Sequence, residues 1–141
     1  MVIELKEKQK VLVGGSKPVY KLVWSCIQSM QPFDREKEMF FVIGVTRALQ
    51  VKFLDMVSMG TLHAVIVEPR EVFRNAILQG ASSVILCHNH PSNYVKPSVA
   101  DIDTTKVMVQ AGKLLKIAVL DHLIVGNNGY YSFADEGMLE R

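Results

Sequence analysis

Residues 84–101 read VILCHNHPSNYVKPSVAD. The chain has four histidines, and two of them, His88 and His90, fall within three positions of this stretch. The segment SSVILCH (82–88) is apolar on both faces, the pattern of a strand covered on both sides. Successive side chains of a strand point to opposite faces, so residues two apart share one. Pro91 pushes the residue before it toward extended geometry. His88 and His90 are therefore expected to aim at one point, with Cys87 and Asn89 aimed the other way. After the loop PSNYVKP, a helix is predicted to start at Pro97-Ser98, with Asp101 one turn on. Residues three apart on a helix share a face. If the loop folds back, Asp101 joins the two imidazoles. Two histidines and a carboxylate leave a fourth zinc position for water, the composition of a catalytic site, and zinc lowers the pKa of that water to roughly 7. A plainer reading competes: Ser98 to Asp101 is close to an N-cap box, with Ser98 capping and Asp101 complementing the helix dipole.

Outward from this stretch, strands and helices alternate. KIAVLDHLIV (116–125) is a second doubly apolar strand, GNNG (126–129) a turn and YYSF (130–133) the returning strand. SVADIDTTKVMVQAGKLL (98–115) is predicted helical, with Gly112 a weak point near its end. Upstream, PREVFRNAILQG (69–80) has helical spacing, Pro69 at its first turn and Gly80 at its end. EMFFVIGV and QVKFLDMVSM (38–45 and 50–59) read as a β-hairpin, and HAVIVEP (63–69) as a short third strand. VYKLVWSCIQSM (19–30) suits an amphipathic helix closed by Pro32. Residues 1–17 read as an N-terminal arm or loosely attached strand, and 18–141 as one domain. The tail ADEGMLER reads as a turn and a short helix. The fold class is α/β: a mixed sheet flanked by helices.

The 141 residues fit one domain, and 49% apolar with 21% charged residues is ordinary for a soluble globular chain. A net charge of +2 neither requires nor excludes nucleic acid. Two cysteines, Cys26 and Cys87, do not make a disulfide scaffold. No signal peptide or membrane-length apolar run is evident, so a cytoplasmic location without membrane association is the expectation.

The spacing His-x-His, seven residues, Ser-x-x-Asp resembles the metal motif of the JAMM (MPN+) metalloprotease superfamily, matched by His88, His90, Ser98 and Asp101. The longer strings AILQGASSVILCHNHPSNYVKPSVADID, LDHLIVG, YSFADEG, GTLHAVIVEPREVFRNA and REKEMFFVIG resemble the RadC family, by tradition described as DNA repair proteins. The similarity runs from about Pro32 to the end. It implies a JAMM/MPN-like domain with a cytidine-deaminase-like three-layer arrangement, and a zinc-dependent hydrolase of peptide or isopeptide bonds. It also implies roles: His88, His90 and Asp101 as zinc ligands, Ser98 as oxyanion donor and Glu38 as general acid/base, with Glu36 the rival of the same parity. Asn93 stands where the family usually has Gly, and Asn tolerates left-handed backbone. Larger RadC proteins carry an N-terminal helix-hairpin-helix region for which this chain has no room, which puts in doubt any DNA binding resting on it.

Other features weigh less. Cys87 should turn away from the site. The Asp121-His122 pair is read first as a satisfied core pair and second as outer support for the metal site. His63 has no evident partner, and Trp24 reads as a core or surface residue. A peptide or protein substrate is expected, and the sequence does not fix an oligomeric state. Two alternatives stay open: a non-catalytic module in DNA repair or replication-associated processes, and a metal-dependent phosphodiesterase or nuclease. The His-x-Glu and Pro-Cys-x-x-Cys pieces of a zinc deaminase are missing.

Overall fold

The computed structural model describes residues 1–10, 12–60 and 67–139. Among the described residues a six-stranded mixed sheet runs in the order β1 (Val2–Ile3), β3 (Val51–Met59), β2 (Met39–Val45), β4 (Ser83–Asn89), β5 (Ala118–Gly126), β6 (Gly129–Ser132). Only β4 and β5 are parallel; the other neighbours are antiparallel. The parallel pair needs a crossover, and α5 (Val99–Leu115) supplies it.

Alternation along the central strands sorts the core into two halves. Met39, Phe41, Ile43, Ile85, Cys87 and Leu123 pack under α1 (Ser16–Gln28). Phe40, Val42, Val84, Leu86 and Val119 pack under α5 and the shorter α3 (Pro69–Val72) and α4 (Arg74–Gln79). The result is three layers, helix–sheet–helices, an α/β fold as the sequence indicated. Cys87 sits under α1, on the face away from His88, where burial pushes its thiol pKa up.

Several boundaries differ from expectation. Helix α1 ends at Gln28, and Pro32 opens a separate turn of helix, α2 (Pro32–Arg35), at its first position. The 69–80 helix breaks at Phe73, whose side chain is drawn into the core while its backbone relaxes to φ −94°, ψ −5°. Residues 133–137 form turns, and no helix is found among the described residues of the tail. The amides of Ala134 and Asp135 bond instead to Asp121 Oδ1 and Ser132 Oγ, both at 3.0 Å, side-chain acceptors that compete with a helical ladder. The strand expected at HAVIVEP, with His63, lies largely outside the described residues.

Two registers position the site. Phe40 of β2 stands opposite His88 of β4. Between β4 and β5 the pairing is Val84↔Val119 and then Ile85↔Asp121, so Leu120 is an extra residue in β5. That bulge turns His122, rather than Asp121, onto the α5 side of the sheet beside His88.

Gly112 is explained by the α5–β5 junction. Lys116 takes left-handed geometry (φ 60°), the chain doubles back, and a Cβ on Gly112 would lie 2.4 Å from the carbonyl oxygen of Ile117. Gly112→Ala is therefore expected to lower stability by roughly 1–2 kcal/mol, against the gain of about 1 kcal/mol that helix propensity alone gives. A urea midpoint unchanged or raised would mean that the junction has room to spare.

Candidate metal centre

His88 is near the end of β4, held between β2 and β5 and 2% exposed. Its ring lies nearly parallel to that of Phe40, 6.0 Å away at 6°. His90 follows the strand; its amide still bonds to Val125 O at 3.0 Å, extending the ladder with β5. The strand-parity expectation holds: the two Nε2 atoms lie 3.1 Å apart. Asn89 points away and anchors β2, accepting from the Met39 amide at 2.7 Å and donating to Lys37 O at 3.0 Å.

The loop after His90 folds back. Asn93 adopts φ 67°, the left-handed geometry in which Asn can replace Gly, and its Oδ1 accepts from the Asn127 amide at 2.8 Å. The loop also fixes His90, because Nδ1 lies 2.8 Å from Tyr94 O. A carbonyl only accepts, so Nδ1 carries the proton and a neutral His90 presents the Nε2 lone pair to the site.

Asp101 does what both competing readings asked of it. Ser98 Oγ accepts from the Asp101 amide at 3.1 Å, and Asp101 Oδ2 accepts from the Ser98 amide at 2.9 Å, a reciprocal capping box. The same carboxylate faces both imidazoles: Oδ1 is 3.2 Å from His88 Nε2, and Oδ2 is 3.2 Å from His90 Nε2. Burial works to raise the Asp101 pKa, but the two facing imidazoles, which act as proton donors when no cation lies between them and the carboxylate, outweigh it and hold the carboxyl well below the usual carboxylate range. For His90 burial works downward, and the net is upward because Asp101, the Tyr94 carbonyl and the charge of Glu38 favour the cation.

The donor set fits a metal ion. Among the described residues, His88, His90 and Asp101 form one group whose ligand atoms all lie within 4.8 Å of one another. The imidazole nitrogens are 3.1 Å apart, and each has one of the two Asp101 oxygens at 3.2 Å, contacts near the roughly 3.4 Å ligand–ligand spacing of a tetrahedral site with ligands about 2.1 Å from zinc. Beside them is a cavity of about 30 Å³ lined by Glu38, Phe40, Val67, Thr104 and His122 with His88 and Asp101, room for a single small occupant. Imidazole is a borderline donor and carboxylate a hard one, a mixed set that suits zinc and several neighbouring transition metals.

Glu38 is half-buried immediately before β2, on the cavity wall, with its carbonyl accepting from the Gly60 amide at 2.8 Å. Continuing the β2–β4 register brings it across from His90. Glu36 is exposed at the C-cap of α2.

Behind His88 stands an outer shell that the sequence disclosed only in part. His122 Nε2 is 2.8 Å from His88 Nδ1, and His122 Nδ1 is 2.6 Å from Thr105 Oγ1. Burial, aided by the neighbouring His88, pushes the His122 pKa well below its ordinary value. Of the two readings of Asp121-His122, each residue takes one. Asp121 is a satisfied core group, accepting from Ser132 Oγ and the His122 and Ala134 amides. His122 faces the site, its ring hydrogen-bonded to that of His88. Thr105 was not singled out in the sequence; its only signal was a position one helical turn after Asp101.

Comparison with known proteins gives the same family. The RadC-like JAB domain model matches residues 15–138. A UPF0758 protein of Methanosarcina barkeri is 41% identical over 133 residues, covering 94% of this chain and 56% of the relative. One from Chlorobaculum tepidum is 45% identical over 106 residues (75% and 48%), and one from Symbiobacterium thermophilum 50% over 102 residues (72% and 44%). The chain thus spans about half the length of the curated relatives it matches. Among the described residues, no helix is long and apolar enough to cross a membrane. With its α/β sandwich, its His-His-Asp cluster and a match over most of its length, the chain belongs to the RadC family and carries its JAB domain.

Proposed function

We propose that the chain is a zinc-dependent hydrolase of the JAMM type, acting on peptide or isopeptide bonds. The observation that carries this reading is the close triangle of His88 Nε2, His90 Nε2 and the Asp101 carboxylate beside an acidic side chain. Zinc held there would polarise a scissile carbonyl and acidify a water molecule.

The protein's own groups divide the remaining work. The Glu38 carboxylate would take a proton from the attacking water and pass it to the leaving amine. Its place on the cavity wall favours it over the exposed Glu36. Ser98 Oγ accepts from the Asp101 amide, so its own proton stays free for the oxyanion that develops on the substrate carbonyl. On the far side of His90 lies a polar cavity of about 240 Å³, lined by Trp24, Gln28, Arg35, Asn93 and Asn127 among others. Amide side chains pair well with an extended peptide backbone, which supports a peptide or protein substrate. Among the described residues no second donor cluster accompanies the first, so the two-metal chemistry common in nucleases lacks support here.

Protein equilibrated with zinc and desalted should retain about one equivalent per chain, as in a mononuclear site, and His88→Ala should lose it while wild type keeps it by elemental analysis. A zinc-free wild type would remove the basis of the reading. Against a quenched-fluorescence peptide or isopeptide library, Glu38→Gln should keep the metal and lose about 10²–10⁴-fold in turnover. Loss confined to Glu36→Gln would transfer the role to Glu36. Ser98→Gly should still fold, since Gly costs the cap only about a few tenths of a kcal/mol, yet turn over about 10²–10³-fold more slowly with KM little changed. Full activity in that variant would strike Ser98 from the mechanism.

A further inference from the structure

The outer shell behind His88 has a direction, and the direction bears on metal binding. Thr105 Oγ1 lies 2.7 Å from the backbone carbonyl oxygen of Asp101. A carbonyl cannot donate, so the hydroxyl proton sits on that bond, and Oγ1 turns a lone pair to its other neighbour, His122 Nδ1, at 2.6 Å. His122 Nδ1 therefore carries a proton. Its ring is 1% exposed, and its two nitrogens face His88 and Thr105, neither of which is a carboxylate that would stabilise a charged ring. The ring is neutral, and Nε2 is left as an acceptor. His88 Nδ1, 2.8 Å away, must donate to it. The remaining nitrogen of His88, Nε2, is then a bare lone pair facing Asp101 and His90.

We propose that Thr105 and His122 are positioning residues that hold His88 as the tautomer protonated on Nδ1, the form a metal ion at Nε2 requires. The proposal rests on the metal reading of the site. The Asp101 carboxylate, 3.2 Å from His88 Nε2, pulls the other way: without a cation between them it favours a proton on Nε2. A divalent cation removes that pull, and the chain through His122 and Thr105 supplies the matching proton order with no donor stranded in the core. The helix that brings Asp101 to the site also brings, one turn on, the residue that orients its partner ligand. The chain of bonds starts at the Asp101 backbone carbonyl and stops at His88 Nδ1, leaving the other nitrogen of that ring to face the Asp101 carboxylate.

Chelator competition on the full chain, comparing wild type with Thr105→Val, Thr105→Ser and His122→Phe, tests this. Thr105→Val keeps the shape of the side chain and removes the acceptor; Thr105→Ser keeps the acceptor. Zinc affinity should fall about tenfold in Thr105→Val and about 10–100-fold in His122→Phe, with Thr105→Ser near wild type, the range usual for lost outer partners of a ligating histidine. Nitrogen-15 spectra of zinc-loaded wild type should put protons on His88 Nδ1 and His122 Nδ1, with a coupling across the bond from His88 to His122. These spectra need no variant, so they decide the matter even if His122→Phe does not fold. Equal zinc affinity in wild type and Thr105→Val, or a proton on His122 Nε2 in the loaded protein, overturns the positioning role and leaves the metal site standing. A wild type that takes up no zinc brings down the metal reading and this proposal with it.

Discussion

The Asp101 carboxylate is asked to satisfy three neighbours at once. The first turn of a helix leaves backbone N–H groups without partners, and Asp101 reaches back to one of them, the amide of Ser98. A negative charge at that end also complements the helix dipole. The same two oxygens face His88 and His90. Starting α5 at Ser98 and completing the donor triangle are thus one structural event. Shifting the helix start by a residue would rotate Asp101 by about 100° around the axis and break both. The histidines give it little latitude in return. His88 is in the middle of the sheet, with its register set by β2 on one side and β5 on the other, and His90 is clamped by Tyr94.

Much of this was legible in the chain because the periodicities are strong. Two-residue alternation with Pro91 sufficed to point His88 and His90 the same way, and helix spacing put Ser98 and Asp101 on one face. The hairpin of β2 and β3 and the doubly apolar β4 and β5 followed from composition. The parts that escaped depend on long-range contacts. Phe73 breaks a helix because the core takes up its ring. The tail forms turns because Asp121 and Ser132 capture its amides. Thr105 looks like any polar residue in an amphipathic helix until the fold sets His122 against it. The capping and ligand readings of Asp101 looked like rivals in the sequence, yet one carboxylate has enough lone pairs for both.

The arrangement also separates a buried back from an open front. His88, His122 and Thr105 are buried to within a few per cent, and among the described residues no buried side-chain polar atom lacks a partner. The outer wall is more open: Glu38 is half-buried, Ser98 exposed, and the groove beyond His90 is lined by amides and an arginine.

The extra residue in β5 has a further consequence. A pleated strand behaves like a reading frame with two phases, and Leu120 changes the phase in mid-strand. Before it, the α5 side is read at Val119; after it, at His122 and Ile124. Losing a single amino acid at that point would leave the sheet nearly the same length while exchanging the residues on its two sides. A carboxylate would then stand behind His88 in place of an imidazole, facing a threonine hydroxyl instead of the amides and serine that now receive it. The count of residues between Val119 and His122 is thus what keeps an imidazole, and not a carboxylate, behind His88.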